Sequence, residues 1–329
     1  MSSTASPAAQ VLPKFDDTFG AALVGGFIAA TLFGVLCIQC HMFFLKSYGE
    51  NVYVKVSIAF LLVFNAMHTV CIIHSLYWFM VTNYLNPLVL LEAVPWSLPI
   101  TVFFTGWIDF TVQGWFTYRV WRISKHNRLL TLALAVLILV VFGNCMALVA
   151  RLLQVKTFPD YSEANWLVYF GLALTIVTDL SIALTLCYLL RKLRSMALRR
   201  TRSVLNYVMV YVVNTGLFTS IVCIATLVSR IAMQDNFVFV ALFYSLGSLY
   251  SNALLGSLNA RDWFRSGSAK GQVSIPLSTV ASGSEQSNTR PIAFAPYDDN
   301  LTHQDSSMPS TRGRQTDVEA DGDAVKAAL

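Results

Sequence analysis

Charge is scarce in this 329-residue chain: Asp, Glu, Lys and Arg together make up 12%, about half the share of an ordinary soluble domain. Hydrophobic residues make up 55%, and the mean hydropathy is +0.57. That balance excludes a freely soluble globule and makes a lipid bilayer the expected solvent. The net charge of +5 forms no basic stripe; its cations cluster between apolar runs, so nucleic acid is not an expected partner. Lysine is missing from the interior of every apolar run, which excludes a retinal-type Schiff base. A GxSxG string and the histidine patterns of membrane metalloenzymes are missing too, so the chain reads as a non-enzyme with no cofactor or metal. No repeat stands at solenoid or propeller spacing. The six cysteines (Cys37, Cys40, Cys71, Cys145, Cys187 and Cys223) all lie inside apolar runs, where thiols behave as small buried hydrophobes and not as a disulfide framework.

What is present is length of apolar sequence. A membrane span takes about 20 predominantly apolar residues. Seven such runs occur, at about 20–45, 54–82, 97–121, 129–152, 166–190, 204–232 and 237–258. The fold class is therefore all-α, a polytopic membrane protein of seven transmembrane helices. The N-terminus lacks the basic start and short apolar core of a cleaved signal, so the run from Ala21 to Leu45 is expected to stay as an anchor. Fifteen Lys and Arg flank the first, third and fifth loops and the end of the seventh run, against four on the opposite side. Cytosolic loops keep the cations, so the N-terminus is expected outside and the C-terminus in the cytosol. Residues 1–18 then form a short extracytosolic segment and 19–265 the transmembrane domain. Residues 266–329, rich in Ser, Thr, Gly, Asp, Gln and Pro, form a disordered cytosolic tail. The plasma membrane is favoured over internal membranes.

Within the runs, polar residues mark candidate sites. Asp109 and Asp179 stand near the middle of the third and fifth spans, where a charge costs about 2.5–3.5 kcal/mol on insertion scales. Gln113 follows Asp109 by one helical turn, and Thr175 precedes Asp179 by one. Asn65 and His68 in the second span, Asn144 in the fourth, Asn214 in the sixth and Asn252 in the seventh complete a candidate polar cavity for a small-molecule or lipid ligand. The alternative is interhelical hydrogen bonding that only fixes packing. Cys37, Cys40 and His41 spell CxxCH, but inside a span the string has no open haem pocket. Ala22, Gly26, Ala30 and Gly34 form a small-residue stripe suited to close helix approach within the bundle or in a dimer. The fifth loop carries Arg191, Lys192, Arg194, Arg199, Arg200 and Arg202, a basic cluster that sets orientation and offers a surface to a cytosolic partner.

Several strings carry a resemblance. They include Asp17-Thr-Phe-Gly-Ala-Ala, Gln113-Gly-Trp-Phe-Thr-Tyr-Arg119, Thr178-Asp179 and Thr201. Asn214-Thr-Gly-Leu-Phe-Thr-Ser220 and Leu249-Tyr-Ser-Asn-Ala-Leu-Leu-Gly-Ser-Leu-Asn-Ala-Arg261 join them. Over about residues 15–265 the chain resembles a family of seven-helix membrane proteins from mushroom-forming fungi, domain of unknown function 6534. The resemblance implies topology and lineage and brings no catalytic residues. Three functions stay open: a receptor or sensor, which leads on architecture; a transporter or lipid-handling protein using the intramembrane aspartates; and a structural or scaffolding protein.

Overall fold

The computed structural model describes residues 19–46, 51–84, 94–154, 165–196, 199–233 and 236–270, with side chains except at 46, 196, 199–215 and 260–270. The expected extracytosolic segment 1–18 and the tail from 271 on lie outside the described residues.

Among those residues the chain is all helical. The helices are α1 (Ala21–Lys46), α2 (Val52–Tyr77, extended by a π-helical turn Trp78–Thr82), α3 (Ser97–Ile123), α4 (Arg128–Gln154), α5 (Asn165–Met196), α6 (Arg199–Ala232) and α7 (Val238–Lys270). Five described stretches are long and apolar enough to cross a membrane: Ala21–Leu45, Val52–Thr82, Arg128–Gln154, Asn165–Ser195 and Val238–Asn259. In the sixth helix the apolar stretch of described residues is Gly216–Ala232. α3 carries Asp109, Gln113 and four threonines, which keep it less apolar than α2 and α4.

The distribution of side chains runs opposite to that of a water-soluble bundle. Phe27, Leu129 and Leu184 stand on the outside at 66%, 79% and 69% exposure, whereas Asn65, His68, Ser248 and Ser251 are fully buried. In water such a surface would expose several apolar stripes; in lipid it is the favourable arrangement. These features are those of an integral, multi-pass membrane protein.

Each helix packs on the next in chain order, and α7 returns to α1, so the bundle closes on itself. α3 touches α2, α4, α5 and α7, which explains how it can carry polar residues that need partners from several helices. α1 and α7 run parallel: Asn252 Nδ2 donates to the Leu32 carbonyl (2.9 Å), and Asn259 Nδ2 to the Gln39 carbonyl (3.0 Å), two turns further along both helices. They pack tightly at Gly25, where a Cβ would sit 2.3 Å from the Ala241 Cα and 2.6 Å from its carbonyl oxygen.

The small-residue stripe of α1 divides. Ala22 and Gly26 are buried, and a Cβ on Gly26 would meet Leu76 of α2, while Gly34 is exposed with nothing within 4 Å. Gly25, one residue off the stripe, makes the tightest contact.

The basic cluster is not a loop. Arg191, Lys192 and Arg194 belong to the last turns of α5, and the backbone of Arg199, Arg200 and Arg202 forms the start of α6. Leu, Met, Lys and Arg are good helix formers, so nothing in Arg191–Met196 stops the helix when the apolar run ends. Leu193 also packs against the cluster of Ile182, Leu186 and Leu190, which extends the core along α5. α7 likewise stays helical to Lys270, past the expected end at 265.

The connection between α3 and α4 is capped. The Leu130 amide donates to Asn127 Oδ1 (3.3 Å) at the start of α4. Lys125 and His126 take positive φ (54° and 67°) in the preceding turn.

Candidate functional site

The candidate polar residues separate into three places. At the α2–α7 contact, Asn65 Nδ2 donates to Ser251 Oγ (2.7 Å) and Ser248 Oγ donates to Asn65 Oδ1 (3.3 Å). His68, one turn along α2, is fully buried with no hydrogen-bond partner at either ring nitrogen, and its ring flanks Gly247 of α7. Asn252, one turn after Ser248, ties α7 to α1. Asn214 lies where side chains are not described.

Asp109, Gln113, Asn144 and Asp179 occupy the third place, the centre of the bundle. Asp179 of α5 is 7% exposed and accepts two hydrogen bonds: from Gln113 Nε2 of α3 at 2.9 Å, and from the Tyr250 hydroxyl of α7. Cys223 Sγ of α6 lies 3.5 Å from the same hydroxyl. Four helices thus meet at one carboxylate. Gln113 does not serve Asp109, its neighbour one turn back; its amide crosses to α5. Thr175 lines the adjoining chamber and is not the partner of Asp179.

Two chambers lie on either side of this cluster. The first, about 70 Å³, is walled by α3 from Val102 to Gln113, α4 from Ile138 to Leu148, α5 from Leu167 to Thr175, Cys223 of α6, and α7 from Phe243 to Tyr250. The second, about 30 Å³, begins where the first ends, with Val112 to Phe116, Asp179 to Leu186, Gly216 and Thr219, and Tyr250 and Ala253. From the first chamber to the second the residue numbers rise on α3, α5 and α7 and fall on α6, which runs the other way, so the chambers are stacked. Gln113 and Tyr250 border both, and with Asp179 they form a hydrogen-bonded septum between them. One water needs roughly 10–15 Å³ on a comparable measure, so the first chamber has room for several waters or one small solute and not for a lipid chain.

Asp109 reaches only the first chamber. Its Oδ1 is buried and has no hydrogen-bond partner, and the same holds for Oε1 of Gln113. Asn144 also lines this chamber, with Nδ2 donating to the Leu167 carbonyl (3.1 Å). Phe110 and Phe142, ring centroids 4.8 Å apart, and Phe243 supply aromatic wall. Among the described residues no Lys, Arg or His lines either chamber, and no group of His, Cys, Asp or Glu has the arrangement to hold a metal.

Sequence reasoning named Asp109, Gln113 and Asp179 but gave Tyr250 and Cys223 no part in the cavity. The signal for Tyr250 was its depth: tyrosines of membrane helices favour the interfacial belts, and one in the middle of an apolar run needs a buried partner for its hydroxyl.

No curated protein and no solved structure matches this chain. Residues 175–263 match the sequence model of a family of unknown function (DUF6534), a stretch that runs from α5 through α7 and holds Asp179 and Tyr250 of the septum, with Cys223 beside them.

Proposed function

We propose that this chain is a seven-span receptor or sensor of the plasma membrane, N-terminus outside and C-terminus in the cytosol, whose ligand is a small solute held in the first chamber. The observation that carries this reading is the unpartnered Asp109 Oδ1 in a chamber closed at its far side by the Gln113–Asp179–Tyr250 septum. A solute bound there would touch Gln113 and Tyr250, and through them the helices α5 and α7 that continue to the basic end of the bundle. Arg191, Lys192 and Arg194 on α5, with Arg199, Arg200 and Arg202 on α6, would meet a cytosolic partner. The parallel run of α1 and α7 supports an odd number of crossings, and the count of fifteen cations against four supports the cytosolic placement of the α5–α6 turn. With that orientation the first chamber lies in the outer half. The wider resemblance to seven-helix fungal proteins agrees with this topology.

Orientation is tested by impermeant maleimide on whole cells, in a background lacking native cysteines. Tyr84→Cys should label and Asn127→Cys should not; the reverse pattern overturns the topology. Surface biotinylation tests the plasma membrane.

A second reading, transport of a proton or small cation, is favoured by one observation: the second chamber on the far side of the septum. Binding and flux measured on the full chain in liposomes, with wild type, Asp109→Asn and Asp179→Asn, separate the two. Saturable binding without net flux supports the receptor; flux that either substitution abolishes supports transport. Neither signal from any variant leaves a scaffolding role.

A further inference from the structure

We infer that the first chamber is a site for a small ammonium cation, ammonium itself or a methylated amine, held by Asp109 against the aromatic wall of Phe110, Phe142 and Phe243. This deepens the receptor reading and rests on it only for the consequence of binding.

The argument begins with hydrogen-bond accounting. A buried polar atom without a partner costs on the order of 1–3 kcal/mol, so a wall that carries two of them is incomplete. Of the residues that line the chamber, Asp109 and Gln113 each carry one unpartnered buried atom, Oδ1 and Oε1, and both are acceptors. Gln113 is 2% exposed, and its Nε2 is committed to Asp179, which fixes its Oε1 as the free end. The matching ligand is therefore a donor. Charge points the same way. Asp179 has two donors of its own, whereas no Lys, Arg or His among the described residues lines either chamber, so a cation beside Asp109 would meet no competing positive charge.

The rest of the wall selects among cations. A bare alkali ion asks for about six oxygen ligands, as hard cations do, and this wall offers few; it offers phenyl faces instead. An ammonium satisfies both features, with N–H groups for the two acceptors and a diffuse positive charge that benzene rings attract by about 0.5–2 kcal/mol each when desolvated. Size sets the upper limit: about 70 Å³ admits methylammonium and excludes a bulky amine with a long chain.

The test uses the full-length protein in phosphatidylcholine nanodiscs, with thermal unfolding followed at constant ionic strength as methylammonium chloride replaces sodium chloride. The expected result is a saturable rise in Tm, with apparent affinity at least tenfold weaker in Asp109→Asn and several-fold weaker in Phe142→Leu. Phe142→Leu keeps the carboxylate, so it reports on the site even if Asp109→Asn folds poorly. No rise above the sodium chloride baseline, a response that does not saturate, or one unchanged in both variants overturns the inference. Liposome flux keeps the two claims apart. Methylammonium binding accompanied by its flux would leave the ligand class standing and remove the receptor reading. Asp109-dependent binding of a neutral solute with no response to methylammonium would do the opposite.

Discussion

Replacing Gly25 by alanine should loosen the seam between the first and last helices, and the size of the effect follows from distances. The new methyl carbon would start 2.3 Å from the Cα and 2.6 Å from the carbonyl oxygen of Ala241, atoms of a helix backbone that cannot rotate aside. Restoring an ordinary contact of at least 3.4 Å moves α1 away by more than an ångström. That shift stretches the Asn252 to Leu32 and Asn259 to Gln39 bonds, now 2.9 and 3.0 Å, beyond bonding range. Overpacking costs about 1–3 kcal/mol, and interhelical bonds in membranes average about 0.6 kcal/mol each. Alanine's better helix propensity offsets up to about 1 kcal/mol, so Gly34→Ala on the same helix serves as control, since nothing lies within 4 Å of its added carbon. The difference in stability between the two variants is expected to be about 2–4 kcal/mol. Reversible unfolding in mixed micelles, titrated with SDS and followed by circular dichroism, measures it. Two variants within 0.5 kcal/mol of each other would refute the close parallel packing of α1 on α7, because helix propensity cancels between them (tolerance set at about the usual additivity error).

Tyr250→Phe removes one of the two donors to Asp179 and leaves a buried carboxylate oxygen unpartnered; thermal unfolding should show a loss of about 1–3 kcal/mol, and Tyr244→Phe in the same assay tests whether any buried tyrosine does the same. Asn65→Leu breaks the bonds to Ser251 and Ser248 together and is expected to cost about 1–2 kcal/mol in the same measurement. Asn127→Ala takes away the cap of α4 and should lower stability by about 1 kcal/mol without altering solute binding in the first chamber; a change in binding would tie that turn to the site.

The helices were legible because a bilayer demands uninterrupted apolar length, and the expected limits agree with the described ones to within a few residues at most ends. The exceptions lie beyond the apolar runs, at α5, α6 and α7. Polarity signals where a helix leaves lipid, not where it stops being a helix, and Arg191–Met196 contains no glycine or proline to end it. Asp109, Gln113 and Asp179 stood out for a similar reason: a charged or amide side chain in an apolar run is costly enough to notice. Their pairing did not. One-turn spacing points from Gln113 to Asp109, whereas the observed partner sits on α5, and only the arrangement of helices around α3 decides between a local and a distant acceptor. Gly25 escaped notice because the four-residue stripe of Ala22, Gly26, Ala30 and Gly34 looked the better candidate, although helix rotation turns Gly34 outward.

The seam between α1 and α7 also has a temporal side. During synthesis the first helix leaves the ribosome long before the last, and for that interval its Gly25 face has no partner. The septum waits as well, since Asp179 is in place with α5 but the hydroxyl of Tyr250 arrives only with the final helix. A chain interrupted before α7 would leave the Gly25 face of α1 uncovered and Asp179 without one of its two donors. Completion of α7 is thus the event that closes the described helices into one bundle.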